Sequence, residues 1–420
     1  MSFKSKLGTV AALAALITFQ SVVTESASAS GSFTVAGLHR SPAPVTSIPM
    51  DNVRTFGATG DGVTDDTAAI QNAANDAANR HIGVFFPPGT YLHAEAITFN
   101  GVAVTGSGNA SYLVAANNSI SCGVVLTGTA PSLQNMVVST AGLNAGLFPN
   151  VLVNNATSFT LANDTFVEGT GYTAVKIATS SVGTVNACYF DGTGSSDVGV
   201  VIEGSQNVSI VSNLIQNEYI GIYVDAANPS QAIALLSNTI GSVSYPTQYI
   251  GIEADEVGNL DVAQNTIQMA SAATISTAIS LNLDDSLSCS NNSTWGGKYG
   301  ITVNGPGPSN NVVTQNAIHN CGQWGVLCVN AQSYAAIRVT SNVFGECGLT
   351  DTGGSTSNAV IYVTGVNATG PNTFVQNNSY QGHFNGLIYY VSCSFNSPHI
   401  PGANVTGNTV TQAVGLPNSI

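Results

Sequence analysis

Apolar and polar positions alternate along this chain in short runs, and the runs recur. Gly199-Val200-Val201-Ile202 returns as Gly221-Ile222-Tyr223-Val224, Gly251-Ile252-Glu253-Ala254, Gly300-Ile301-Thr302-Val303 and Gly325-Val326-Leu327-Cys328. A second segment recurs between these: Asn135-Met136-Val137, Asp164-Thr165-Phe166, Cys188-Tyr189-Phe190, Asn213-Leu214-Ile215, Asn238-Thr239-Ile240, Asn265-Thr266-Ile267, Asn316-Ala317-Ile318, Asn342-Val343-Phe344 and Asn408-Thr409-Val410. The early steps are 29, 24, 25, 25 and 27 residues; the step from Asn265 to Asn316 is 51, read as two turns with a degenerate register near Asn291. A period near 25 holding several short strands predicts a parallel β-solenoid. A β-sandwich, with turns every 8–12 residues, does not generate such a period. About ten to twelve turns are expected, stacked at ~4.8 Å per rung. Residues of equal phase then form ladders along the axis: Ile and Val inside, and an amide ladder at a bend.

Ahead of the repeats the pattern changes. Phe56-Gly57-Ala58-Thr59-Gly60-Asp61-Gly62-Val63-Thr64-Asp65-Asp66-Thr67 reads as a loop. Asp65 or Asp66 then caps a helix over residues 65–79, with Ile70, Ala73, Ala74, Ala77 and Ala78 on one face. Val84-Phe85-Phe86 is a short buried strand closed by Pro87-Pro88-Gly89. The stretch from Val53 to Phe99 resembles the N-terminal module of pectate-lyase-like right-handed β-helix proteins, shared by rhamnogalacturonase- and epimerase-like proteins, exo-acting β-1,3-glucanases and phage tailspikes. The resemblance implies an all-β, single-stranded right-handed parallel β-helix over residues 51–420, with residues 51–99 forming the cap and first turn and residues 100–420 the repeats. It does not choose a chemistry, because that family holds hydrolases, lyases, epimerases and binding proteins. Asp61, Asp65 and Asp66 are read as loop-shaping and helix-capping groups.

The composition narrows the function. Lys+Arg is 8 against 22 Asp+Glu, a net charge of −14, and only 7% of residues are charged. Nucleic-acid binding needs a basic face to displace counterions, and none exists here. Residues 1–29 read as a secretory signal peptide: Lys4 and Lys6, an apolar run from Leu7 to Val23, and Ala27-Ser28-Ala29 for cleavage. Residues 30–50 are a linker, and the mature protein is expected outside the cytoplasm or in the periplasm, without a membrane anchor. Seven cysteines without a Cys-x-x-Cys pattern argue against zinc. Cys321 and Cys347 share a phase and leave open a disulfide or an interior thiol stack.

Chemistry is expected on the outward face of the glycine-headed strands. Counting from Gly199, Gly221, Gly251, Ala278 and Gly300, phase four reads Glu203, Asp225, Asp255, Asn282 and Asn304. Phase two includes Tyr223 and Glu253, and Tyr219, Tyr249, Tyr299 and Trp324 precede the strands. One column of carboxylates and amides beside one column of aromatic rings suits a sugar, whose rings stack on aromatics and whose hydroxyls bind carboxylates. Asp225, Glu253 and Asp255 are the expected acid and base; Glu203, Tyr219, Tyr223, Tyr249, Asn282, Tyr299, Asn304 and Trp324 are the expected substrate contacts. Asp284 and Asp285 are a further acidic pair: a second catalytic candidate, a calcium ligand set or an exposed turn. They are also the one echo of the polygalacturonase pattern, whose Gly-His-Gly and Arg-x-Lys elements find only poor matches at His383 and Arg338. Beyond residue 80 the basic side chains are Lys176, Lys298 and Arg338, so a uronate polymer meets an acidic surface. His319 is a lone turn histidine. The leading expectation is a glycoside hydrolase on a neutral or weakly charged polysaccharide, needing no cofactor. The alternatives are a non-catalytic glycan-binding or adhesin β-helix, and a calcium-dependent lyase or epimerase.

Overall fold

The computed structural model describes residues 49–116, 123–141, 149–226, 228–270, 276–282, 284–305, 310–329, 336–347, 360–365, 373–382, 391–395 and 404–412. The expected signal peptide and most of the linker lie outside these residues, as do Cys122 and His383. From Met50 onward the chain groups as one unit. It is a right-handed parallel β-solenoid in which each full turn supplies one strand to each of three faces. One turn reads Val198–Glu203, Gln206–Val211, Leu214–Gln216, and the next Ile220–Asp225, Gln231–Leu236, Thr239–Ile240. The first two faces join in a 26-stranded sheet and the third is a 14-stranded sheet.

Alternation explains the interior. Ile177, Ile202, Val224, Ala254, Leu281 and Val303 are in register on successive turns, and all are buried. Stacking by identical phase lets one apolar column run the length of the molecule with no gap for water. Cys188, Cys289, Cys321, Cys328 and Cys347 are buried free thiols, so Cys321 and Cys347 form the thiol stack and not the disulfide.

The amide ladder exists, with a corrected register. The backbone N–H of Asn213 donates to Asn238 Oδ1 (3.1 Å), and its Nδ2 donates both to the same oxygen (3.0 Å) and to Val185 O (3.0 Å). The pattern repeats through Asn238, Asn265, Asn292, Asn316, Asn342, Asn378 and Asn408. The first members are Met136, Asp164 and Cys188, not Asn135. Asn292, not Asn291, fills the degenerate turn, and Asn378 marks a turn that the sequence alignment passed over. The reason is physical. The residue just before each ladder position is left-handed: Asn135 at φ 57°, Asn163 at 56°, Ser212 at 56°, Asn291 at 55°. Asparagine suits a left-handed corner as well as a ladder, so its identity cannot tell the two apart.

The capping helix is Thr67–Arg80, and its buried residues are Ile70, Ala73, Ala74 and Ala77, as expected. It packs on the strand Ile97–Asn100. The cap chemistry differs from expectation. Asp66 stands at the cap position but accepts from Thr59 N (2.7 Å) and Gly60 N (3.0 Å), while Asp65 accepts from Thr67 N (3.0 Å). Asp61 accepts from Val63 N and Thr64 N, which brings its carboxyl down to about 2. All three aspartates therefore shape the loop. Gly60 has a packing role: a Cβ there would lie 2.8 Å from the Tyr91 ring.

Candidate active site

The strands Val198–Glu203, Ile220–Asp225, Ile250–Asp255, Thr277–Asn282 and Tyr299–Asn304 stack in register. Glu203 lies opposite Asp225, Tyr223 opposite Glu253, Asp255 opposite Asn282, and Asn282 opposite Asn304. The glycine has a packing role: a Cβ on Gly221 would sit 2.5 Å from Gly251 O, so successive turns approach closely there.

The centre of this column is a connected group. Tyr223 Oη lies 3.3 Å from Asp225 Oδ1 and 3.4 Å from Asp255 Oδ2. A hydroxyl has one proton to give, so the two carboxyls compete for it. Asn282 Nδ2 donates to Asp255 Oδ1 (2.7 Å) and to Ser280 Oγ (3.3 Å). Both oxygens of Asp255 thus face donors. Glu253 is half-buried two residues before Asp255 on the same outward face. Burial, reinforced by the Asp255 charge, pushes its carboxyl up to about 7. An acid that keeps its proton near neutrality stands beside a hydrogen-bonded carboxylate. The Tyr223 phenol is itself raised by burial and by the surrounding carboxylates.

The remaining expected residues divide. Glu203 is in the column but bound to Lys176 Nζ (2.6 Å) and Asn228 Nδ2 (2.8 Å), which lowers its carboxyl. Asn304 extends the column by one turn. The single aromatic column is not found. Tyr219 and Tyr249 stack at 4.9 Å and 9°, and Tyr299 and Trp324 stack at 5.1 Å and 11°. Thr277 lies opposite Tyr299, which puts the second stack one residue further along the strand than the first. Ser276 and Thr277 interrupt the rings. The offset is already written in the sequence: Tyr219 and Tyr249 stand two residues before Gly221 and Gly251, Tyr299 and Trp324 one residue before Gly300 and Gly325.

Asp284 is not in an exposed turn. It is 2% exposed, its Oδ1 accepts from Val257 N (2.9 Å), and burial pushes its carboxyl up to about 8. It occupies the corner position that Ser205 and Ser230 fill on earlier turns, each with its Oγ accepting from the backbone of the turn before. Asp285 follows it at the same corner, paired with Gly258. The Asp255 charge adds to the rise at Asp284. Among the described residues no set of three or more His, Cys, Asp or Glu is arranged to hold a metal ion.

Another acidic pair has no signature in the repeat pattern. Glu168 and Glu218 are 3% and 0% exposed, two turns apart on a corner, with Gly192 between them. A Cβ on Gly192 would fall 2.7 Å from Glu218 Oε2, so the glycine vacates the space this carboxyl enters. No donor among the described residues reaches their oxygens. The two carboxyls face each other, and a proton held by one is the donor available to the other. Burial, with Asp197 and Asp191 nearby, holds both well above the usual carboxylate range. Asp197 is itself satisfied by Thr193 N (2.6 Å) and Gly171 N, and Asp191 by Asn217 Nδ2 (3.0 Å).

Comparison with known proteins places this geometry. The family model of rhamnogalacturonase A/epimerase, pectate lyase-like proteins matches residues 50–268. That of the periplasmic copper-binding protein NosD matches residues 192–352. No curated protein sequence matches the chain. Among solved structures, the chain is similar to the surface protein and adhesin PfbA of Streptococcus pneumoniae at 14% identity and a TM-score of 0.50, covering 86% of this chain and 100% of that one. It is also similar to the A-module of a mannuronan C-5 epimerase from Azotobacter vinelandii (17% identity, 86% and 99% covered, TM-score 0.39). A third likeness is to a hyperthermoactive exopolygalacturonase from Thermotoga maritima (13% identity, 71% and 92% covered, TM-score 0.39). The adhesin likeness shows the shared solenoid and nothing about activity.

Proposed function

Because the chain belongs to the rhamnogalacturonase A/epimerase, pectate lyase-like family, we propose that it is an exported glycoside hydrolase whose centre is Tyr223, Asp225, Glu253 and Asp255. The observation that carries the reading is Glu253, an outward, half-buried carboxyl pushed up to about 7 beside Asp255. Glu253 donates its proton to the glycosidic oxygen as the bond from that oxygen to the anomeric carbon breaks. Asp255 takes a proton from a water whose oxygen attacks the same carbon from the opposite side. Glu253 and Asp255 stand two residues apart on one strand face, about 6.6 Å at Cα; the anomeric configuration of the released sugar reads whether the centre inverts or retains. Tyr223 orients Asp255 and shares its proton with Asp225. Lys176 is engaged by Glu203, so the strip offers little to neutralise a uronate, and the substrate is a neutral or weakly charged polysaccharide. Export rests on residues 1–29.

The test is reducing-end release across a polysaccharide panel, with calcium and with chelator. Hydrolysis unaffected by chelator and lost in Glu253→Gln supports the reading. Unsaturated products that require calcium would make the protein a lyase. Glycan binding without cleavage, lost in Tyr219→Ala or Tyr249→Ala, would make it a binding protein; the exposed Tyr219–Tyr249 stack is the observation that favours this second reading.

A further inference from the structure

The turn that the sequence register left degenerate carries a second group of rings. Trp295 ends the strand Ser293–Trp295 on the third face and lies opposite His319. Their rings stack at 4.3 Å and 23°. Gly296 and Gly297, at φ 77° and 82°, then turn the chain so tightly that Lys298 and Tyr299 follow at once on the first face. Tyr299 stacks on Trp324 of the next turn, and Lys298 Nζ stands 5.0 Å from the Tyr299 ring centroid. Two ring pairs therefore flank one corner, with an ammonium between them in sequence. Gly345 extends the opening: a Cβ there would meet His319 Nδ1 at 2.4 Å, so the imidazole lies over bare backbone.

Packing does not account for this corner. Trp295 is 41% exposed, although burying its ring is worth more than burying almost any other side chain. Lys298 enters no salt bridge among the described residues, in a chain with 22 acidic side chains against 8 basic ones. An acidic surface that leaves a lysine unpaired beside flat rings is complementary to a flat ligand carrying negative charge. By register the corner lies two turns beyond Glu253.

We propose that the corner formed by Trp295, Lys298, Tyr299, His319 and Trp324 is a second glycan-binding site, selective for a sugar bearing an anionic substituent such as a uronate carboxylate or a sulfate ester. The exposed part of the indole, already stacked on His319, supplies the apolar contact, and Lys298 supplies the counter-charge that the catalytic strip lacks. The site anchors an acidic glycan while the strip acts on neutral linkages, and it does not depend on the strip being hydrolytic.

A glycan array carrying neutral, uronate-containing and sulfated oligosaccharides, followed by calorimetric titration with the captured glycan, tests this. The expected result is capture of anionic glycans, weakened about tenfold by Trp295→Ala or Lys298→Ala, with the loss in Lys298→Ala vanishing at high salt. Glu253→Gln retains the binding, which separates this site from the strip. Both altered side chains are outside the core, so an unchanged melting temperature is the control for folding. Capture of neutral glycans only, no capture of any anionic glycan, or binding that survives both substitutions overturns the proposal.

Discussion

The outward strip and the buried corner each hold carboxyls that keep their protons at unusually high pH, and only one of them is placed for chemistry. Glu253 is half-buried, faces outward and stands next to an aspartate with donors on both oxygens. Glu168 and Glu218 are buried, at 3% and 0% exposed among the described residues. The same physics, removal from water, raises both. A perturbed carboxyl is therefore a sign of burial first; reach by substrate decides whether burial serves catalysis or packing.

The sharpest way to break this comparison is to neutralise one member of each region. Glu253→Gln is expected to lower turnover by about 10²–10⁴-fold with its melting temperature unchanged. Glu168→Gln should leave turnover unchanged. Equal activity in the two variants, measured on the substrate found by the panel, would dissolve the distinction. The next effect is steric. Gly192→Val drives a side chain into Glu218 and Asn217 O and should cost about 1–3 kcal/mol in urea unfolding. Val201→Ala on the outward strip should stay within about 0.5 kcal/mol.

Acidity gives a third, smaller effect. In the buried corner the native state holds protons that the unfolded chain releases above its ordinary glutamate pKa, near 4.5. Stability is then full below about pH 4.5 and falls as pH rises toward the raised native values, by up to about 1.4 kcal/mol per pH unit for each proton retained. Melting curves from pH 4 to 8 check this, and Glu168→Gln should flatten them. Turnover, by contrast, should fall as pH rises through about 7, where Glu253 loses its proton. Tyr223→Phe removes one shared hydrogen bond and should slow turnover about tenfold, equivalent to about 1.4 kcal/mol.

The fold was legible because a solenoid writes its geometry directly as a period. The glycine-headed strands gave the correct register for Glu203, Asp225, Asp255, Asn282 and Asn304 without any side-chain information. The site was legible only as far as the strands were straight. Where the chain turns, one residue more or less changes the column. That is why Asn135 was taken as a ladder member, why the register near Asn291 looked degenerate, and why Asp284 looked like surface. Glu168 and Glu218 were invisible for a related reason. They meet across an intervening turn, and that closeness depends on the absent side chain of Gly192.

The asparagine ladder carries a further implication, which concerns time. Every rung gives its N–H and one Nδ2 proton to the Oδ1 of the turn that follows it in sequence and the other Nδ2 proton to a carbonyl of the turn before, so part of a turn's donors is satisfied only when the next turn arrives. A chain emerging from its N-terminal end always has one unfinished rung, and each new turn repairs the previous defect while creating its own. Wherever folding starts, each added turn completes the rung before it and leaves one incomplete rung at the growing edge.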